Sequence, residues 1–262
     1  MTLVSIVVPA YDAEPFIGEA LDSLAAQTYR EFEILVVDDG SRDRTARLVT
    51  EEAERDSRIR LLSIPHSGVA AARNAGVRAA RGSLVSFLDA DDLWRPDRLE
   101  RHVSLLGREP ATDLIVGEVL VFEALSPTFE PVLGSDHVQL RSVNLGAATI
   151  RSTVFDAVGV FDETMRFSED LDFLLRVHEA GMSLAVESEV ALLYRRHDAN
   201  MTNDADANRR YILRALHHSL ARRRDRNSRP PAMAFPLQTR FDELTMSPAD
   251  VGNAIASRRR SG

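Results

Sequence analysis

The chain contains no cysteine and no lysine. Without thiols there is no disulfide and no thiolate metal site. Without lysine there is no Schiff-base chemistry, no P-loop lysine for phosphate and no lysine general base, and all 32 basic residues are arginine. No apolar run approaches the ~18 residues that suggest a membrane span. Met1-Thr2-Leu3 lacks the basic lead-in of a signal peptide, so the cytoplasm is the expected compartment. Internal repeats and low-complexity tracts are absent as well. Positive charge is scarce where it would matter for nucleic acid. Residues 1–202 hold 20 Arg against 34 acidic residues, while residues 203–262 hold 12 Arg against 6, which together give the net −8. Such an acidic body repels a phosphate backbone, so nucleic acid is not an expected partner.

What is present is ordinary globular material. A chain of 262 residues, 44% hydrophobic and 27% charged, can bury one large core, with or without a modest appendage. Its first half alternates two periodicities. Val4–Pro9, Phe32–Val37, Ile59–Ile64 and Leu84–Leu88 are short apolar runs bounded by turn residues, and they read as buried strands. Between them lie helical patterns. Pro15–Thr28 carries Ile17, Ala20, Leu21, Leu24 and Ala25 on one face. Ser41 opens a helix to Arg55 with Ala46, Val49 and Ala53 at helical spacing. Ser67-Gly68 opens an alanine-rich helix to Arg81, and Pro96 starts one running to Leu106. This order predicts an α/β domain with a mostly parallel sheet flanked by helices and right-handed crossovers.

After residue 110 the rhythm breaks. Leu114–Phe122 and Leu184–Leu193 read as further strands, Pro127–Asn144 as loop, and Glu169–Ala180 as a helix stopped by Gly181. The basic segment from Ala205 to Arg224 reads as a helix with Ile212, Leu213, Leu216 and Leu220 on one side. Pro230-Pro231 ends it, and Ser247-Pro248-Ala249-Asp250 is a start signal for a last short helix. The expected division is therefore a domain over residues 1–202 and a basic, helical C-terminal extension over 203–262. The leucine stripe of that extension is expected to pack on the body or on a second subunit, as in a homodimer. A peripheral contact with anionic lipid or a lipid-linked substrate is the competing use.

Two acidic clusters carry the chemistry. Asp38-Asp39-Gly40-Ser41 and Asp89-Ala90-Asp91-Asp92 each follow an apolar strand, which puts carboxylates at the strand C-termini, where parallel α/β sheets bind ligands. Carboxylates gathered there repel one another unless a cation lies between them. A divalent ion, Mn²⁺ or Mg²⁺, holding a phosphorylated ligand fits best.

Six segments in order resemble the inverting family 2 glycosyltransferases with the GT-A nucleotide-diphospho-sugar transferase fold. They are Ser5-Ile6-Val7-Val8-Pro9-Ala10-Tyr11, Asp38 through Thr45, Ala71-Ala72-Arg73-Asn74-Ala75-Gly76, Asp89-Ala90-Asp91-Asp92, Ser168-Glu169-Asp170 and Tyr194-Arg195-Arg196-His197. The resemblance spans about residues 3–202. It implies a UDP-sugar donor, a hydroxyl acceptor and a divalent metal.

Pro9 ends the first strand so that Tyr11 can lay its ring against a nucleobase, a stack worth ~1–3 kcal/mol. Asp39 can accept from a ring N–H such as that of uracil, and Arg73 can reach ribose, base or diphosphate. Asp89 is expected at the ribose, or at the ion through water, and Asp91 on the metal itself. His197 completes the metal shell or touches the diphosphate. The resemblance implies that Asp170, the second acid of Ser168-Glu169-Asp170, is the general base, with Glu169 orienting it or bonding the sugar. The competing uses are structural. Tyr11 would cover the sheet edge, Asp39 would cap the next helix, and Arg73 would pair with a nearby carboxylate. His66 stands where relatives often have a polar amide and receives no role. Val160 departs from a common second glycine on the acceptor side.

Three other functions compete. A sugar-nucleotide pyrophosphorylase needs a glycine- and basic-rich loop after the first strand, which Pro9-Ala10-Tyr11-Asp12 does not supply. A dehydrogenase needs a G-x-G-x-x-G turn, also missing. A non-catalytic nucleotide-sugar-binding module differs by releasing no sugar.

Overall fold

The computed structural model describes residues 2–126, 128–141, 144–198, 200–201 and 204–225. The Pro230-Pro231 stop and the helix start at Ser247 lie outside the described residues. The elements run β1 (Val4–Ala10), α1 (Ile17–Ala25), β2 (Phe32–Asp38), α2 (Thr45–Arg55), β3 (Ile59–Ser63), α3 (Val69–Ala79), β4 (Leu84–Phe87) and α4 (Arg98–Arg108). They continue with β5 (Leu114–Phe122), β6 (His137–Leu140), β7 (Ala148–Arg151), α5 (Ser152–Val158), α6 (Glu169–Glu179), β8 (Leu184–Arg195) and α7 (Ala205–Asp225).

Every position of β1 and β2 is buried, as expected for apolar runs covered on both faces. Strands β3, β2, β1 and β4 lie side by side in that order, all parallel. Beyond β4 the sheet becomes mixed, but six of its eight strands, β1 to β5 and β8, run the same way, as expected of a mostly parallel sheet. β7 runs antiparallel between β4 and β5. β6 pairs with the far half of the same edge of β5, and β8 lies parallel along its other edge. β5 and β8 therefore point the same way as β1, β2 and β4. The C-terminal ends of β1, β2, β4 and β8 all emerge at one rim, and this topology decides where the site falls.

Helix α3 fits as its composition predicts. A Cβ added at Gly76 would come within 2.3 Å of Val7 Cγ1, so α3 rides close on β1 and carries Arg73 to the rim.

Several boundaries differ from the sequence reading. Ser41 does not start α2. Its hydroxyl accepts from Asp12 N–H, while Asp43 accepts from the backbone and the hydroxyl of Thr45, so the helix begins four residues later. The stretch expected to be loop contains β6, an edge strand too short and too exposed to leave a pattern. β7 and α5 give no sequence signal of their own. In α7 the leucines do not form the packing stripe. Ala207, Ala215 and Ser219 are buried, Leu213 and Leu220 face outward, and Arg222 pairs with Asp172 and Glu179 of α6.

Candidate active site

The rim is built from turns that each answer to a short local cause. Tyr11 follows β1 and is 39% exposed, and its ring stacks on His66 with centroids 4.2 Å apart and planes at 30°. Asp39, just past β2, is buried. Its Oδ1 accepts from Ser67 N–H at 2.7 Å and its Oδ2 from Gly68 N–H at 2.9 Å. Asp39 thus fastens the turn that leads into α3 and does not cap the α2 helix that follows it in sequence. Gly68 at φ 94° makes the turn that aims those amides. His66 Nδ1 lies 2.9 Å from Asp39 Oδ2, so His66 is locked beneath Tyr11. No signal in the sequence marked His66. With its rings this close, a planar base has room only on the outer face of Tyr11.

The Asp89–Asp92 turn leaves β4 and is pinned to β8 by reciprocal backbone bonds between Leu93 and Leu193. Asp92 is fully buried and accepts from Arg195 N–H at 2.9 Å, so it fastens the turn rather than facing the cleft. Asp91 points inward. Its Oδ2 is 3.0 Å from His197 Nε2 and 3.4 Å from the amide of Asn200. The His197 ring is stacked on Phe16 at 4.4 Å, and Asn200 Oδ1 accepts from its backbone N–H. Asn200, three residues past the late motif and given no role in the sequence reading, sets the loop that carries His197.

Arg73 is placed differently from its expected reach to the nucleotide. Buried at 6% exposure, it donates through Nη2 to Asp89 Oδ1 at 2.7 Å and through Nη1 to Glu169 Oε1. One planar guanidinium therefore ties the cluster after β4 to the start of α6, a geometry that suits its fork of donors. Burial works against its charge, but Asp89, Glu169 and Asp170 outweigh that and hold it fully protonated. Glu169 and Asp170 enter the cleft because Ser168 adopts φ 57° immediately before them. A left-handed serine costs of order 1 kcal/mol, and such conformations gather at functional sites. Leu171 N–H donates to Asp170 Oδ1 at 2.7 Å.

These residues share one cleft of about 1330 Å³. It exceeds the ~300–1,000 Å³ of ordinary ligand pockets, so two substrates can sit in it together. Pro9, Tyr11, Asp39, Arg73, Asp89, Asp91, Glu169, Asp170 and His197, the nine residues expected from sequence, all line it.

Among the described residues no three His, Cys, Asp or Glu side chains are grouped to hold an ion unaided. The donor set still fits Mn²⁺ or Mg²⁺, which take one or two protein ligands and complete their shell with substrate phosphate and water. Asp91 Oδ2 and His197 Nε2 are separated by 3.0 Å, close to the ~3.0 Å between adjacent corners of an octahedron with ~2.1 Å bonds. Burial and the neighbouring Asp89 push Asp91 above the usual carboxylate range, against the pull of His197.

The same crowding sets a pH dependence. Burial pushes Glu169 up to about 7, Asp170 and Asp89 reinforcing it and Arg73 opposing it, and burial lifts Asp92 well above the carboxylate range. A carboxyl with a higher pKa in the folded chain favours folding while protonated and loses that contribution as pH rises through the folded value. Between pH 6.5 and 8 Glu169 gives up its proton in the folded chain, while the depressed carboxylates, Glu33 and Asp56 among them, are already ionised in both states. The buried histidines work the other way: His102, held near 4 by burial, and His178, also lowered by burial, still lose protons in the unfolded chain near pH 6.5 and favour folding as pH rises. The Glu169 contribution is therefore read as a difference: the stability of the wild type relative to Glu169→Gln is expected to fall from pH 6.5 to 8, by at most about 1.4 kcal/mol per pH unit. A difference that stays level or rises over that range would contradict the assignment.

The sheet order and the carboxylates gathered at its rim suit a transferase fold that takes a phosphorylated ligand at the strand ends. Comparison with known proteins agrees. Residues 5–155 match the model for glycosyl transferase family 2, and the chain belongs to that family. An uncharacterized glycosyltransferase of Rickettsia typhi is 30% identical over 222 residues, 78% of this chain and 67% of its own. The uncharacterized glycosyltransferase EpsJ of Bacillus subtilis is 30% identical over 216 residues, 76% of this chain and 63% of its own. The chain thus spans about two thirds of the length of these relatives. The glucosyltransferase WfgD of Escherichia coli, named as acting from UDP-Glc on alpha-D-GlcNAc-diphosphoundecaprenol, is 43% identical over 105 residues, 40% of this chain and 41% of its own. Among solved structures, the mannosyltransferase PcManGT of Pyrobaculum calidifontis, in complex with GDP-Man and Mn²⁺, superposes with TM-score 0.67 at 20% identity over 99% of this chain and 75% of its own. S. aureus TarS 1-349 in complex with UDP gives 0.60 at 20% identity, over 93% of this chain and 77% of its own. The fold is GT-A. No helix among the described residues is long and apolar enough to cross a membrane.

Proposed function

We propose that the chain is a metal-dependent inverting glycosyltransferase that moves a sugar from a UDP-sugar to an acceptor hydroxyl. Tyr11 stacks the base on its outer face, and Asp39 holds the α3 turn and retains a lone pair for a ring N–H. Asp91 and His197 hold Mn²⁺ or Mg²⁺ against the diphosphate, and Asp89 lies beside the ribose. When bound, the ion offsets charge that grows on the diphosphate as the glycosidic bond breaks.

Asp170 takes the proton of the acceptor hydroxyl. The acceptor oxygen attacks the anomeric carbon from the face opposite the diphosphate, the carbon–oxygen bond to UDP breaks, and UDP departs with the bonding pair. One in-line displacement inverts the anomeric configuration. Arg73 and Glu169 orient the two carboxylates.

One observation carries this reading: the single guanidinium of Arg73 binds both Asp89 from the donor cluster and Glu169 from the base cluster. This supports the reading because it ties Asp89 to the start of the helix that carries Asp170.

The test is a panel of nucleotide sugars with Mn²⁺, read by thermal shift and by release of free sugar. A uridine donor is expected to raise the melting temperature most and to be hydrolysed slowly without acceptor. Stabilisation with no sugar released would make the chain a binding module, and a best response to a non-uridine donor would contradict the base assignment.

A further inference from the structure

The acidic rim lines only one side of the cleft. Past Asp170 the cleft continues between α6 and α7, and its lining changes from carboxylates to aliphatic side chains: Leu171, Leu174 and Leu175 from α6, Ile212 and Leu216 from α7. Leu174 is buried, but Leu171, Leu175, Ile212 and Leu216 stay half-buried although they face the same space. The helices are joined elsewhere by the ion pairs of Arg222 with Asp172 and Glu179. Those contacts set the spacing, and the trough is what remains open.

Its dimensions follow from helix geometry. Asn208, Ile212 and Leu216 recur one turn apart, so the α7 wall runs about 12 Å, and the α6 wall from Leu171 to His178 runs about 10 Å. Polar groups mark its ends, Asn208 beside Ser168 at the catalytic corner and His178 at the far end. Between them the walls offer no hydrogen-bonding side chain. A free sugar would leave that surface wet. A polypeptide would leave its own amides unpartnered along it.

We infer that the trough receives an aliphatic chain carried by the acceptor, so that the hydroxyl presented to Asp170 belongs to a headgroup on a hydrocarbon tail. This rests on the proposed transferase reading and specifies its acceptor. Each methylene moved from water into such a trough adds to affinity, and a linear chain matches its length.

The test uses methyl and n-octyl β-D-glucopyranoside, which share a headgroup and differ in chain length. Each is titrated by calorimetry into the full chain with UDP and MnCl₂, the octyl compound below its micelle threshold. The octyl glucoside is expected to bind at least about tenfold tighter. Leu175→Asn with Ile212→Asn should bring the two to parity while UDP binding and the circular dichroism spectrum stay at wild type. If the pair unfolds, Leu175→Asn alone should cost about threefold in octyl affinity. Equal binding of the two glucosides, or a preference that survives in the folded variant, overturns the inference. Failure of UDP to bind would sink the transferase reading instead, and the glucoside comparison without nucleotide would still report on the trough.

Discussion

Replacing Asp170 by Asn is expected to lower kcat by about 10²–10⁴-fold, the contribution of a positioned general base. That corresponds to about 3–5 kcal/mol of barrier. UDP affinity should be unchanged, because Asp170 sits at the start of α6, away from Tyr11 and Asp39. The amide keeps the shape of the side chain and can still accept from Leu171 N–H, so the fold has no reason to move. What it cannot do is take a proton. Rates measured with saturating donor, beside calorimetric titration of UDP, separate the two effects. Wild-type turnover in the variant would remove Asp170 from the mechanism, and lost UDP affinity would move it to the donor side.

The second large effect belongs to Arg73. Arg73→Ala leaves Glu169 buried without its counter-charge, and breaking a buried pair by removing one partner typically costs about 3–5 kcal/mol. Against a total stability of roughly 5–15 kcal/mol, the loss should be plain in urea denaturation. Arg73→Lys should recover little, since a point charge cannot span Asp89 and Glu169 with two planar donors. Adding Glu169→Gln to Arg73→Ala should restore part of the stability, because the stranded charge is then gone. A loss below about 1 kcal/mol, the worth of an exposed pair, would show that the guanidinium is not holding the site.

Arg73 also shows how far the sequence could be read. Its alanine-rich surroundings correctly implied close packing on the sheet, and Gly76 against Val7 is the physical form of that implication. Its target was not legible, because Glu169 lies far along the chain and only the folded sheet brings the two together. Asp39 is similar: position after β2 put it at the rim, but the amides it accepts belong to Ser67 and Gly68. β1, β2 and β4 were legible because buried parallel strands write themselves as mostly apolar runs, and the half-buried edge strand β3 because Ile59, Leu61 and Leu62 stand between turn residues. β6 and β7 were not, being four residues each and paired antiparallel within a region of irregular pattern. His66 carried no local signal at all, since its partner across the stack lies on another turn.

The extension at α7 needed the structure for a different reason. Helical periodicity identifies an apolar face but not its use, and here the face that packs is the one made of Ala215 and Ser219. Ile212 and Leu216 turn toward the cleft instead.

The central claim is that the carboxylates at the sheet rim hold a divalent ion against a diphosphate. Titration calorimetry of UDP with and without Mn²⁺ tests it most directly, with Asp91→Ala as the partner measurement. The account predicts that Mn²⁺ tightens UDP binding and that Asp91→Ala abolishes the difference. UDP affinity identical in the presence and absence of manganese would contradict it.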